Sequence, residues 1–145
     1  REAIDIVKNN VDDSIIGISF DNCEFINCTF KGKIKNCSFF NVKFYKCEIS
    51  NIMFINNGIH YTLFDTCHLV GINFIDCKIK NSEFINSHMR FGSLSTTELK
   101  EVDFKEWMDE RVSAEDWLVY NKTKVLIDNI FLEERYGGYD YDDYE

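Results

Sequence analysis

Apolar residues recur at every fifth position through most of this chain. The segment SFDNCEFINCTF, residues 19–30, has phenylalanine at its second, seventh and twelfth places. A spacing of five fits neither the two-residue period of a strand nor the 3.6-residue period of a helix. The five-residue register has one four-residue step, from Phe30 to Ile34. Because the register continues over so many units, it indicates an internal repeat. The apolar centres are Phe20, Phe25, Phe30, Ile34, Phe39, Phe44, Ile49, Phe54, Ile59, Phe64, Leu69, Phe74, Ile79, Phe84, Met89, Leu94, Leu99 and Phe104.

Two further positions repeat with these centres. Small and β-branched residues lie two places before a centre and are expected to point inwards with it. They are Ile18, Cys23, Cys28, Cys37, Val42, Cys47, Ile52, Thr62, Cys67, Ile72, Cys77, Ser82, Ser87, Thr97 and Val102. Asparagine dominates two places after a centre, at Asn22, Asn27, Asn36, Asn41, Asn51, Asn56, Asn81 and Asn86. Because asparagine tolerates tight turns, each unit is predicted to be a short extended piece followed by a corner.

Similar centres recur at every fourth unit, which predicts four units in each turn of the chain. One such column consists of Phe25, Phe44, Phe64, Phe84 and Phe104. A second column consists of Phe30, Ile49, Leu69 and Met89. Stacked turns would then pair their backbones as parallel strands about 4.8 Å apart. The interior is predicted to be filled by ladders of phenylalanine and isoleucine.

The units CEFIN, CTFKG, CSFFN, VKFYK, INFID and SEFIN resemble those of the pentapeptide-repeat family. Units of that family have a small residue, a polar residue, Leu or Phe, and two variable positions. The resemblance covers about residues 18–106, with cysteine at the place where the family usually has alanine. It implies an all-β solenoid, a right-handed quadrilateral β-helix. We expect residues 15–106 to form about 4.5 coils of it, followed by a C-terminal α-helical cap.

Both ends of the repeat are predicted to be capped, because a β-helix exposes unpaired edges there. Residues 1–14 are the expected N-terminal cap, and residues 107–135 are the expected C-terminal helical region. A helix start is predicted at Ser113, with Asp116 three places later and no glycine or proline before Gly137. The apolar residues of this helix are expected to pack on the last coil, to form a homodimer interface, or to do both. They include Trp117, Leu118, Val125, Leu126, Ile130 and Phe131.

Negative charge is concentrated at the C-terminal end. Residues 1–104 have 11 Lys+Arg and 13 Asp+Glu, whereas residues 105–145 have 5 and 12, within a net charge of -9. Binding of nucleic acid through a general basic surface is therefore not expected. Residues 136–145 form an acidic, tyrosine-rich tail, which either binds a basic groove of a protein partner or only improves solubility. The candidate binding residues are Tyr139, Asp140, Tyr141, Asp142, Asp143 and Tyr144.

Outward positions carry two sets of apolar residues, each predicted to share one face of the solenoid. The first set consists of Met53, Ile55 and Ile75. The second set consists of Ile26, Tyr45, Leu63 and Ile85. Exposed apolar patches usually mark a partner site. The alternative is that the N-terminal segment or the terminal helix folds back and covers one of them.

Catalytic signals are lacking in the sequence. It has no nucleotide-binding glycine loop, no nucleophile elbow and no HExxH motif, and its cysteine spacings are those of the repeat. One outward column is predicted to read Thr29, Glu48, His68 and His88. Two histidines and a carboxylate can hold zinc or nickel, but a flat surface lacks an enclosing second shell, so a solvated polar ladder is favoured. We therefore expect no enzyme activity, metal or cofactor.

The leading hypothesis is a non-enzymatic protein-binding or inhibitor module. The best-known members of the family resemble DNA in shape and charge and bind type II topoisomerases. With a nearly neutral repeat region, the resemblance implies at most a partial DNA mimic acting on a topoisomerase or a host-defence nuclease. The alternative is a structural or self-assembly scaffold that dimerises through its C-terminal helix. Neither a run of eighteen apolar residues nor a signal-peptide pattern occurs, so a cytoplasmic protein without membrane contact is expected.

Overall fold

A computed structural model describes residues 14–106, 112–114 and 116, with only the backbone described for residues 91–93. Within these residues, thirteen strands form one sheet that winds into a solenoid. The strands are β1 (Ile15–Ile16), β2 (Ser19–Asp21), β3 (Glu24–Ile26), β4 (Lys33–Lys35), β5 (Ser38–Phe40), β6 (Lys43–Tyr45), β7 (Met53–Ile55), β8 (Gly58–His60), β9 (Leu63–Asp65), β10 (His68–Ile75), β11 (Lys78–Ser95), β12 (Glu98–Glu106) and β13 (Val112–Ser113). Strands β10, β11 and β12 are longer than the others and continue through corners of the solenoid.

The strands of successive turns pair in parallel, so that each repeat unit lies directly above a unit of the preceding turn. Phe25 pairs with Phe44 at a separation of 19 residues, and Phe44 pairs with Phe64 at a separation of 20. The shorter first interval contains the four-residue step from Phe30 to Ile34. The prediction of four units per turn is therefore confirmed, and the chain forms an all-β solenoid of about four turns.

Four columns of centres define four walls, numbered here in chain order. Wall 1 contains Ile15, Ile34, Phe54, Phe74 and Leu94. Wall 2 contains Phe20, Phe39, Ile59, Ile79 and Leu99. Wall 3 contains Phe25, Phe44, Phe64, Phe84 and Phe104. Wall 4 contains Phe30, Ile49, Leu69 and Met89. Walls 1 and 3 lie opposite each other.

The interior consists of the predicted centres. All eighteen are buried, with at most 3% of their surface exposed. In wall 3, the ring centroids of Phe64 lie 4.6 Å from Phe44 and 4.5 Å from Phe84, in nearly parallel planes. Identical rings stack in this way because parallel register places like atoms one above another. Burial of each such side chain contributes about 1.5–3 kcal/mol.

The corners have left-handed backbone two places after the centres. Fourteen non-glycine residues there have φ between 47° and 58°, and all eight predicted corner asparagines are among them. Asparagine and glycine accept this conformation at lower cost than other residues. Neighbouring corners are also linked, since Asn41 Nδ2 donates to Asn22 Oδ1 at 2.6 Å. The predicted short strand followed by a corner is confirmed.

Some inward polar residues form hydrogen bonds with backbone groups of the turn below. Asn57, which the sequence reasoning did not place inside, is only 2% exposed. Its Nδ2 donates to the Ile34 carbonyl, and its Oδ1 accepts from the Cys37 amide, both at 2.8 Å. The Ser87 hydroxyl likewise accepts from the Cys67 amide at 3.0 Å. Small inward residues therefore both fill the crowded interior and satisfy backbone groups of the turn below.

Strand β13 closes one side of the top turn. It pairs antiparallel with β12, where Val112 lies opposite Phe104 on wall 3. The Asp116 amide donates to Ser113 Oγ at 3.2 Å, as expected at a helix N-cap. The predicted helix itself, including its cap or dimer residues, lies outside the described residues, as do residues 1–13. Within the described chain, no helix is long and apolar enough to cross a membrane.

Replacing Phe64 with alanine is expected to lower the free energy of unfolding by about 3–5 kcal/mol, because the stacked turns cannot collapse into the cavity. Replacing the corner residue Asn56 with alanine is expected to cost about 1–2 kcal/mol, the penalty of left-handed backbone for alanine. Urea denaturation followed by circular dichroism compares the two variants. Equal losses would contradict the inward assignment of Phe64.

Candidate functional site

The first predicted apolar set forms a patch on wall 1. Ile55 pairs with Ile75 in the next turn, and Met53 lies two residues before Ile55 on the same strand. Met53 is 38% exposed, and both isoleucines are half-buried. Directly below, Lys33 pairs with Met53 and Lys35 pairs with Ile55. The three predicted residues are therefore neighbours, and their patch, called here the wall-1 patch, has a basic lower edge.

The second predicted apolar set lies on wall 3 but is not continuous. Ile26, Tyr45 and Ile85 belong to one column, in which Asp65 separates Tyr45 from Ile85. Leu63 belongs to the other outward column of the wall, above Lys43. The prediction of a shared face is right, whereas the implied stripe is interrupted by a carboxylate.

Sequence reasoning missed an exposed aromatic pair at the corner between walls 2 and 3. Phe40 is 48% exposed and Tyr61 is 56% exposed, with their ring centroids 5.5 Å apart in an edge-to-face arrangement. An open groove of about 350 Å³ lies beside them. The groove is lined by Asn22, Cys23, Glu24, Asn41, Val42, Lys43, Tyr61 and Leu63. The signal available in the sequence was an aromatic residue in a column whose other members are polar: Asp21, His60, Lys80 and Lys100 for Phe40, and Asn22, Asn41, Asn81 and Glu101 for Tyr61.

Wall 4 carries the predicted ladder of Thr29, Glu48, His68 and His88 in consecutive turns. His68 Nδ1 lies 3.1 Å from Glu48 Oε2, and about half of each side chain is exposed. The His68 and His88 rings meet edge to face, with centroids 5.1 Å apart. In the part of the chain that the structure describes, no group of three or more potential ligands is arranged to hold a metal. The ladder is a set of polar contacts on a flat wall.

None of the six cysteines, all of which lie within the described residues, is in a disulfide, and all six pack in or against the core as predicted. Five are buried, but Cys23 in the lowest turn is only half-buried and lines the groove described above. Burial raises the pKa of the Cys77 thiol to about 11. Burial is also the main cause of the raised pKa of Cys37, whereas a hydrogen bond with Cys67, followed by burial, raises the pKa of Cys47. Buried thiols of this kind are poor nucleophiles.

The described solenoid has no excess of charge. Residues 15–106 have ten Lys+Arg and ten Asp+Glu, so the net charge of -9 comes entirely from the segments on either side. The predicted tail residues 139–144 lie outside the described residues. Thus the neutral solenoid and the acidic C-terminal segment are chemically distinct parts of the chain.

Comparisons with known proteins show little likeness. No protein-family model matches the chain, and no curated protein sequence matches it. Among solved structures, it is similar to two trypsin-treated variants of QnrB1, a plasmid-mediated fluoroquinolone resistance protein. The first is 12% identical, with 63% of this chain and 72% of that chain covered and a TM-score of 0.23. The second is 12% identical, with 62% and 73% covered and a TM-score of 0.20. Likeness at this level carries no functional argument, and the class that the coordinates define is a parallel, four-walled β-solenoid.

Native protein is expected to expose one reactive thiol, Cys23, while the five buried thiols react only on unfolding. Titration with a chromogenic disulfide reagent, before and after addition of denaturant, measures this difference. The variant Cys23→Ser should lose the fast reaction and keep its stability. A second fast thiol in that variant would show that a core column opens in the native state.

The pKa of Cys77 predicts a loss of stability at alkaline pH. Because the folded-state pKa of about 11 exceeds the ordinary thiol value of 9.0, the folded chain holds the proton more tightly than the unfolded chain does. This contribution is complete below pH 9 and is lost between pH 9 and 11, by about 3 kcal/mol. The difference in unfolding free energy between native protein and Cys77→Ala should shrink by that amount over this range. An unchanged difference would contradict the assignment, because other titrating groups are shared by both proteins.

Proposed function

We propose that this protein is a member of the pentapeptide-repeat family that works as a non-enzymatic binding module. The observation that carries the proposal is the wall-1 patch, in which Met53, Ile55 and Ile75 face outwards from a buried, stacked core. Their own centres, Phe54 and Phe74, are completely buried, so these three side chains are not required inside. Apolar side chains gathered on one wall are typical of a protein-binding surface.

The solenoid suits binding because its surface is already ordered. Each outward side chain is fixed on a strand that is hydrogen-bonded to the turns above and below, for instance β7 between β4 and β10. A partner therefore meets a flat surface whose ordering costs little on association. Lys33 and Lys35 at the lower edge add a preference for a partner that places carboxylates beside its apolar residues.

The acidic C-terminal end supports a second contact with a basic partner. The neutral solenoid is a poor DNA mimic, because a mimic needs phosphate-like charge along its length. Residues 107–145 have four Lys+Arg and eleven Asp+Glu, so mimicry is proposed for this region alone. Its target would be a nucleic-acid-binding protein, such as a topoisomerase or a host-defence nuclease, which the chain would inhibit.

A self-assembly scaffold is the second candidate. The observation that favours it is the capping contact between Ser113 and Asp116, which opens the segment predicted to dimerise. A scaffold of this kind would use Trp117, Leu118 and the other apolar helix residues between two copies, leaving the walls as spacers.

The test compares the wall-1 patch with an equivalent residue on another wall. Ile55→Lys/Ile75→Lys is expected to recover at least about ten-fold less of a stoichiometric partner from a bacterial lysate than native protein does. The matched control, Ile85→Lys, changes a half-buried isoleucine of wall 3 and should recover the partner normally. Recovery of only its own chain by all three proteins would favour the scaffold.

The tail is tested with the partner so obtained and with a purified type II topoisomerase. Deleting residues 137–145 removes no repeat unit, so folding should survive while association slows and loses part of its salt dependence. Inhibition of DNA supercoiling by the full chain, weakened by the deletion, is expected if the target is a topoisomerase. Unchanged association rates at low and high salt would leave the tail with a solubilising role only.

A further inference from the structure

Tyr61 occupies a corner position for which its side chain is poorly suited. Its φ is 52°, in the left-handed region that costs about 1–2 kcal/mol for most residues. The corners below and above it in the same column are Asn41 and Asn81, for which the cost is lower. Its ring is also 56% exposed, so burial does not explain the choice of tyrosine. Five other corners, at Lys46, Thr66, Asp76, Thr96 and Glu101, have the same backbone without asparagine or glycine, so it is the exposed aromatic ring rather than the backbone that sets Tyr61 apart.

Phe40 deviates from the repeat in the same place. It lies one residue after a centre on wall 2, in an outward column that otherwise consists of Asp21, His60, Lys80 and Lys100. Its ring contacts Tyr61 edge to face and remains 48% exposed. The two aromatic residues therefore form a small platform at the rim of the corner groove.

Lys43 lines the groove, and Lys46 lies at the corner that follows the same strand; both approach the ring of Tyr45. Lys43 Nζ and Lys46 Nζ lie 5.2 Å and 5.3 Å from the ring centroid of Tyr45. Among the described residues, neither ammonium group is in a salt bridge. Two cations around one ring favour an incoming anion, and Glu24, which pairs with Lys43 from the turn below, offsets part of that charge.

We propose that this groove binds the acidic, tyrosine-rich segment of its own chain, residues 136–145. That segment has four tyrosines and four carboxylates in ten residues. A tyrosine ring of the segment would pack against Tyr61, Phe40 and Leu63, and a neighbouring carboxylate would pair with Lys43 and Lys46. The site is separate from the wall-1 patch, because it lies at the corner between walls 2 and 3 and shares no residue with that patch.

The chain is long enough to reach the groove from its own top end. Strand β13 pairs on wall 3 at the level of Phe104, and the groove extends along one edge of that wall over the levels of Phe25, Phe44 and Phe64. Three rungs separate Phe104 from Phe44, a distance of about 14 Å. The 22 residues from 117 to 138 would span about 33 Å even if all were helical. A tethered segment has an effective concentration in the millimolar range, which favours its own groove over that of a second copy.

Single-stranded nucleic acid is the competing occupant, since aromatic rings and lysines also suit stacked bases and phosphates. The surrounding charges disfavour it. Glu24 lies one turn below Lys43, and Asp65 lies one turn above Tyr45. These carboxylates confine the positive potential to a short stretch, which suits one or two carboxylates better than a continuous phosphate backbone.

Zero-length carbodiimide cross-linking of the full chain, followed by mass spectrometry, tests the proposal. We expect links from Lys43 or Lys46 to Asp140, Asp142, Asp143 or Glu145 at about five times the yield of links from the control lysines. The controls are Lys33 and Lys35, which are exposed at the same height on the opposite wall. A mixture of isotopically light and heavy chains should show that the links lie within one chain.

Two variants make the result specific. Tyr61→Asn gives the corner the residue of its neighbours, so its melting temperature should be unchanged or higher while the cross-link yield falls about five-fold. Phe40→Ser should lower the yield in the same way and serves if the first variant fails to fold.

Equal yields from all four lysines, or yields unaffected by both variants, would overturn the proposal. Links that lie mainly between light and heavy chains would overturn it in favour of a second copy. Binding of a fluorescent oligothymidine that is lost in Tyr61→Asn would assign the groove to nucleic acid instead.

Discussion

The left-handed residue at each corner is the constraint on which the rest of the structure depends. Each corner changes the direction of the chain only partly, so four corners are needed to bring the chain back above its starting point. Each corner costs about 1–2 kcal/mol in most residue types and less in asparagine or glycine. Each turn in exchange buries four large centres, at about 1.5–3 kcal/mol each, and completes the hydrogen bonds of the turn below. Asparagine therefore keeps the cost of the corners low, and burial of phenylalanine or isoleucine at the centres offsets the cost that remains.

Parallel stacking turns this local rule into columns of like residues. In wall 3, Phe44, Phe64 and Phe84 superpose so closely that their rings lie parallel within 3°. In wall 1, Phe54 and Phe74 are tilted by 49°, so ring stacking is not uniform among the walls. Each turn contacts only its neighbours, so stability is a sum of adjacent interfaces. A change in a middle turn therefore weakens the two interfaces of that turn rather than the whole molecule.

The repeating parts of the fold were predictable from the sequence, because the same pattern of inward and corner residues recurs many times along the chain. Every centre and every corner asparagine was assigned to the correct environment. Two residues are exceptions, because their burial depends on particular neighbours that the repeat pattern does not specify. Asn57 is buried because two backbone groups of the turn below accept and donate to its amide, and Cys23 is half-buried because it lies in the lowest turn described. The wall-1 patch was predictable from alternation, whereas the groove beside Tyr61 arises where two walls meet.

Departures from the repeat are the most informative residues for function in such a molecule. A repeat position that keeps its usual residue type is explained by folding alone, as Asn41 is at its corner. Tyr61 in the next turn raises the cost of the same corner and adds no buried surface to the core. Ile55 and Ile75 likewise stand where Lys35 shows that a polar residue is accepted, in the same column of wall 1. Because the fold tolerates polar residues at all three sites, packing of the solenoid core alone does not account for their apolar or aromatic character.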